Sequence, residues 1–295
     1  MKKISAVLFL TLLLTLPVMA QDGLALMKVG HGARQAGMGE AVTSLPGAVD
    51  GTAYNPAAAV GVEPFTASFG HMIYWDDINL ESGFFAKSIR PNWYWHGGIK
   101  YAGLDGLEQR LIPSLDPDNT FEAYDMSIKS GLAYRYDKLS VGFAVGWMIE
   151  KIEAWRGSAF NADFGLQYEV NEKINLGASA LNLGSDFNLT KPNSVSSRDI
   201  SLPKTYSIGG SYKYDKYLGA VDMVYVDDEA HLHLGAEGRV HELFLIRAGY
   251  MLNYDSKNFS AGISFEKRNI TVDYAFVPYS NDLGTSHLFN LTFSL

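Results

Sequence analysis

Cysteine is absent from the 295 residues, which excludes disulfides and a lipid-modified cysteine anchor. Charge is sparse and its balance is acidic: 19 % of residues are charged, with 24 Lys and Arg against 32 Asp and Glu, a formal net charge of −8. A chain of that sign lacks the basic face on which nucleic acid binds. Long hydrophobic runs are also scarce. After residue 20 no apolar stretch approaches the roughly 20 residues that a membrane-spanning helix needs. Yet 47 % of the residues are hydrophobic and 13 % aromatic, with 29 glycines, at a mean hydropathy of −0.03. Apolar content is plentiful, but it is dispersed.

The dispersal has a period of two. Leu139, Val141, Phe143, Val145, Trp147 and Ile149 alternate with Ser140, Gly142, Ala144, Gly146, Met148 and Glu150. Successive side chains of a strand point to opposite faces, so one face is greasy and the other small and wettable. A soluble β-sandwich also alternates, but its solvent face is charged, whereas the polar phase here is mainly Gly, Ser, Ala and Thr. Lys2 and Lys3, the apolar stretch Ile4 to Val18 and the small-x-small Val18-Met19-Ala20 read as a signal peptide, residues 1–20, cut before Gln21. Export, alternation and the lack of a spanning helix predict an all-β transmembrane antiparallel β-barrel in a bacterial outer membrane, with its lipid as the first partner.

Turn signals divide residues 64–295 into about fourteen strands of bilayer-crossing length. The ranges are 64–73, 78–89, 93–102, 121–136, 139–153, 158–170 and 173–183, then 203–214, 217–227, 230–240, 243–252, 258–267, 270–277 and 286–295. Asp137-Lys138, Asn171-Glu172, Asp215-Lys216, His241-Glu242 and Arg268-Asn269 are tight polar connections suited to periplasmic turns. The longer links from Leu104 to Thr120, with Pro113 and Asp116-Pro117, and from Gly184 to Leu202, with Pro192 and a serine cluster, read as extracellular loops. Both termini then fall on the periplasmic side. Tyr134, Tyr136, Tyr168, Tyr212, Tyr214 and Tyr217 flank the short turns, and Trp75, Trp155, Tyr225 and Tyr279 the other ends, as two aromatic girdles. Phe289, Leu291, Phe293 and Leu295 alternate to the end of a strand that closes the barrel against its first. Glycine pairs at Gly97-Gly98 and Gly209-Gly210 mark places where a lateral gap could open.

Residues 21–63 do not alternate. The stretch Gly30 to Gly39 is rich in glycine, and Asn55 followed by Pro56 predicts an N-cap and first position of a short helical turn through Ala57 to Ala59. Such small residues suit a segment tucked into a confined space; the alternative is a flexible periplasmic tail, which so apolar a composition disfavours. Gly32-Ala33-Arg34-Gln35-Ala36-Gly37-Met38-Gly39-Glu40-Ala41, then Ala53-Tyr54-Asn55-Pro56-Ala57, resembles the N-terminal signature of the PorV/PorQ family within the FadL-like outer-membrane barrels. Asp273-Tyr274-Ala275-Phe276, Asp282-Leu283-Gly284 and the terminal strand resemble that family's C-terminal end. The resemblance implies a fourteen-stranded barrel with an N-terminal hatch in its lumen, carried by Arg34, Gly37, Met38, Gly39, Asn55, Pro56 and Ala57. The chain departs from the FadL transporters in its short extracellular loops.

Setting the greasy phase outward predicts that Asp125, Lys129, Arg135, Asp163, Glu169, Asp222, His231, His233, Glu237, Arg239, Arg247, Glu266 and Asp273 point inward. Such charges either line a water path or pair with one another and with a plug, and the desolvation of an unpaired charge favours pairing. His231 and His233 share a face at i and i+2, with Glu237 further along it, a spacing that can hold a metal; no second ligand cluster accompanies them, so no metal and no cofactor is expected. No Gly-x-Ser-x-Gly elbow supports a hydrolase, and the chain is not expected to be an enzyme. The resemblance implies one of two functions: passage of small hydrophobic compounds across the outer membrane, or a non-conducting part of a type IX secretion machine that binds secreted proteins.

Overall fold

The computed structural model describes residues 28–74, 78–110, 112, 115–191 and 199–295. The proposed signal peptide, Trp75, Pro113, Pro192 and the serine cluster lie outside the described residues. Fourteen strands follow one another in chain order: β1 (Phe65–Ile73), β2 (Asn79–Arg90), β3 (Trp93–Gln109), β4 (Asn119–Tyr136), β5 (Leu139–Ile152), β6 (Trp155–Asn171) and β7 (Ile174–Gly184). The second half comprises β8 (Thr205–Tyr214), β9 (Tyr217–Val226), β10 (Glu229–His241), β11 (Phe244–Leu252), β12 (Phe259–Lys267), β13 (Ile270–Pro278) and β14 (Thr285–Ser294). Each pairs antiparallel with its neighbours, and β14 pairs with β1 to close the barrel. Closure leaves no strand edge unpaired, as hydrocarbon demands.

The two phases of alternation separate as their chemistry requires. In β5, Phe143, Val145 and Trp147 are exposed on the outside while Ala144 and Met148 are buried within. Phe160, Ile208, Met223 and Ile246 continue the outer band around the wall. Large apolar surfaces left outside a closed sheet are stable only against lipid. Among the described residues no helix is long and apolar enough to cross a membrane; the strands do so. Tyr136, Tyr168, Tyr212, Tyr214 and Tyr217 ring the end with the tight turns, all exposed, whereas the opposite girdle is thinner than expected. Tyr225 faces outward there, but Trp155 falls in the inward phase of β6, and Tyr279 packs edge-on to Tyr74, ring centres 5.7 Å apart, inside the mouth.

Two further expectations change. β3 runs to Gln109 and β4 starts at Asn119, because the ladder resumes after a bulge between Leu104 and Leu107 in which Gly106 takes φ 72°; proline acts only beyond that point. The pairing is unbroken on both sides of Gly97-Gly98 and Gly209-Gly210, so neither pair opens the wall. An irregularity occurs instead between β6 and β7, where the register shifts between Ala162 and Phe164. There Asp163 accepts a hydrogen bond from the Asn182 backbone N–H, 2.8 Å away, and so staples the bulge from inside.

The core of this protein lies in the lumen. Helix α1 (Ala33–Gly37) and two 3-10 turns, Asp50–Ala53 and Pro56–Ala59, belong to a segment threaded through the barrel. Met38, Ala41, Val42 and Leu45 pack with Ala220; Val49, Val60 and Val62 pack with Phe84 and Ala133. Each large apolar side chain buried this way contributes roughly 1.5–3 kcal/mol. Lys28, the first described residue, lies at the end away from the tight turns, ion-paired at 2.6 Å with Asp227 between β9 and β10. The C-terminal Leu295 sits at the opposite end, bonded to Phe65.

Candidate functional site

Seen from its side chains, the lumen has a sealed side and an open one. On the sealed side α1 packs against β11 to β14. Arg34 reaches Glu237 of β10 with two donors, Nε to Oε2 at 3.0 Å and Nη2 to Oε1 at 3.1 Å. Arg247 of β11 donates to the same Oε2 at 2.6 Å and, through Nη1, to Asp273 Oδ1 at 3.0 Å. Ser264 Oγ also donates to Asp273. Two guanidinium groups thus balance two carboxylates, and the Arg247 side chain is only 1 % exposed. Such a network adds little net stability while intact, but removing one member strands a charge at a cost of about 3–5 kcal/mol.

Close approach of backbones finishes the seal. Gly39 has φ 60°, and a Cβ there would stand 2.9 Å from Leu234 O and from Tyr250 N; opposite it, a Cβ on Gly249 would overlap Gly39 itself. Only glycine on both surfaces allows this contact. The Gly39 N–H donates to Ser260 Oγ at 3.1 Å, and the Ala33 N–H to Asn290 Oδ1 at 2.8 Å. Asn290 Nδ2 donates to Asp50 Oδ2 at 3.1 Å. Burial pushes the Asp50 carboxyl up to about 7 from its ordinary 3.8, and its other oxygen has no partner among the described residues.

Asn55 organises the lower part of the hatch. Its Oδ1 caps the Ala57 N–H at 3.0 Å, while Nδ2 donates to Thr43 O at 2.8 Å and to the wall carbonyl Leu166 O at 3.0 Å. Pro56 follows as the first residue of the turn, as its fixed φ favours. From the wall, Gln167 Nε2 donates to Thr43 O and Leu45 O, both at 3.1 Å, and Asp222 Oδ2 accepts from the Val42 and Thr43 N–H groups at 2.7 and 2.8 Å.

On the other side the wall of β3, β4 and β7 to β10 stands back from the upper part of the hatch and leaves a cavity of about 360 Å³ toward the end with the longer links. Val29, Leu181, Val224 and Val226 supply apolar surface, and Lys100, Lys129, Asn182, Ser207 and Tyr254 supply polar groups. Lys129 Nζ bonds Asp163 at 2.6 Å and Asn182 Oδ1 at 2.9 Å. Glu40, at the cavity edge of the hatch, pairs with Lys257 at 2.8 Å. Burial opposes ionisation of Glu40, but the charge and hydrogen bond of Lys257, together with His233 and His231, hold the carboxyl below its ordinary value. A smaller void lined by Ala53, His96, Lys100, Ser127 and Asp163 continues downward beside the hatch.

All thirteen inward candidates lie in the inner phase, but they do different things. Glu237, Arg247 and Asp273 hold α1, Asp222 holds hatch backbone, and Lys129 and Asp163 line the open side. Arg135 with Glu169 and Arg239 with Glu266 pair near the tight-turn rim, each about one-third exposed or more, where such pairs are worth under about 1 kcal/mol. Asp125 stands opposite Glu150 in the β4–β5 ladder. His231 Nδ1 donates to Asn253 O at 2.8 Å and His233 Nε2 shares a hydrogen bond with Tyr254 Oη at 2.8 Å, while Glu237 belongs to the two arginines. Among the described residues no three such side chains stand together as a metal site. Sequence reasoning did not single out Asp50, Lys100, Gln167, Ser260 and Asn290 as site residues. The inward phase of the last four was readable from alternation; Asp50, in the non-alternating hatch, had no such signal, and the hatch and cavity contacts of all five were not readable.

No protein-family model matches the chain, and no curated protein matches it in sequence. Solved structures do resemble it. The CymD monoaromatic hydrocarbon channel superposes with a TM-score of 0.65 at 14 % identity, over 90 % of this chain and 98 % of that one. The Pseudomonas putida toluene transporter TodX gives 0.63 at 11 % identity, over 89 % and 96 %. A Pseudomonas aeruginosa FadL homologue gives 0.58 at 10 %, over 88 % and 97 %. At such identities the likeness is one of fold: the chain has the closed fourteen-stranded barrel of these FadL-family channels.

Proposed function

We propose that the chain is an outer-membrane conduit of FadL-like type for small compounds with an apolar body, which enter the cavity from outside and pass when the hatch shifts. The observation that carries this reading is the 360 Å³ cavity set directly over a lumenal hatch, with valine and leucine surface beside a few convergent polar groups, the usual make-up of a small-molecule site. That the structural neighbours include a toluene transporter and a hydrocarbon channel supports it by analogy. Uptake of radiolabelled toluene by intact cells carrying the chain in their outer membrane should exceed uptake by cells without it. Equal uptake, also with a hatch loosened by Glu237→Leu, would remove the conduit reading.

One observation favours a second reading. The hatch is bonded to β6, β7, β9, β10, β12 and β14, a closed state suited to a non-conducting component of the PorV/PorQ kind that holds secreted proteins in a type IX machine. Crosslinking in native membranes separates the two, since only this second reading expects secreted proteins to be trapped at the mouth.

A further inference from the structure

We propose that the cavity binds a small organic anion, with its negative end on the ammonium of Lys100. This rests on the conduit reading and sharpens its substrate class. Three cationic residues line the cavity. Lys28 is neutralised by Asp227 at 2.6 Å and Lys129 by Asp163 at 2.6 Å. Lys100 has no ion-pair partner among the described residues, and it stands near Lys129 in both the cavity and the void below. An uncompensated cation facing another cation inside a barrel is unfavourable, because burial removes water and low dielectric strengthens the repulsion. A carboxylate arriving from outside relieves both.

The rest of the lining fits the same orientation. Lys100 marks the deep end, where the cavity meets the void beside Ala53 of the hatch. Val29, Leu181 and Val224 can take an apolar body. Glu40 is already matched by Lys257 at 2.8 Å, and the remaining carboxylates of the lining, Glu229 and Asp255, are exposed and therefore water-screened. The anion's charge thus lies against the hatch, as contact with a buried ammonium requires. A neutral hydrocarbon would fill the same space and leave Lys100 uncompensated.

Calorimetric titration of the detergent-solubilised full chain with benzoate, and with the neutral isosteres toluene and benzyl alcohol, tests this. Benzoate should bind about tenfold or more tightly than either. Lys100→Met should abolish that preference, and Lys100→Arg should retain it. Toluene binding as tight as benzoate in the wild-type chain would overturn the proposal without reference to any variant; so would a benzoate preference unchanged in a folded Lys100→Met barrel. Uptake measured in parallel keeps the two readings apart. Benzoate binding that depends on Lys100 with no uptake of any probe upholds the anion site and removes the conduit. Toluene uptake without benzoate binding does the reverse.

Discussion

On the β10 to β14 side of the lumen, Arg34, Glu237, Arg247 and Asp273 leave no cation without a carboxylate, and glycine meets glycine across the gap. On the β3, β4 and β7 to β9 side the same hatch faces a cavity, and Lys100 has no counter-ion among the described residues. The residue types differ little between the two sides. What differs is distance: where the wall carries Gly235, Gly249 and Gly262 the hatch backbone comes within van der Waals reach, and where it carries Lys100, Lys129 and Leu181 the hatch is held off. A plug built this way is fastened along β10 to β14 and, lower down, to β6 and β9, and it abuts open space only beside the cavity, so any shift of the hatch should begin there.

The largest test of that contrast is Glu237→Leu, which strands Arg34, leaves Arg247 with Asp273 alone and should weaken hatch docking by about 3–5 kcal/mol. Tryptic cleavage at Arg34 and ion conductance in planar bilayers should both rise; a hatch that stays protected would show that the network is not what fastens it. Next comes Asn55→Ala, which removes a cap and the wall and hatch bonds of one amide, an expected loss of about 2–3 kcal/mol. Hydrogen exchange at the Ala57 amide should speed up while exchange at α1 stays slow, since the two ends are anchored separately.

A pH effect follows from Asp50. In the docked hatch its carboxyl is pushed up to about 7, against 3.8 in water, so the docked state binds the proton more tightly. Docking should therefore be strongest below about pH 4, weaken as pH rises through about 7 and then level off. Hydrogen exchange of α1 against pH should show this slope, and Asp50→Asn should flatten it. The smallest effect belongs to the open side: Ser207→Ala, in a cavity wall that does not touch the hatch through this hydroxyl, should change thermal stability by no more than about 0.5 kcal/mol. A larger loss would mean that β8 also holds the plug.

Strand positions were legible because their signals are local. Asp137 and Asp215, both left-handed with φ 52° and 53°, mark hairpins that any strand pair would need, and β11 to β13 begin and end within a residue of their expected places. The long β3 and β4 were misread because a ladder continues through a bulge if its partner continues too, and that depends on two segments at once. For the site, Asn55 and Pro56 announced a capped turn by themselves. Nothing near Asn290 or Gln167 in sequence announces that each would meet the hatch from more than 100 residues away.

Sequence alone determined that one face of every strand is greasy and the other small, that hairpins join them, and that the barrel must stand in lipid, because these follow from a two-residue period and from what water tolerates. Only the tertiary structure decided which small residues receive the hatch, which carboxylate each arginine finds, and that Lys100 finds none among the described residues. Those are matters of the path a non-repeating segment takes through a closed space, and no period encodes a path.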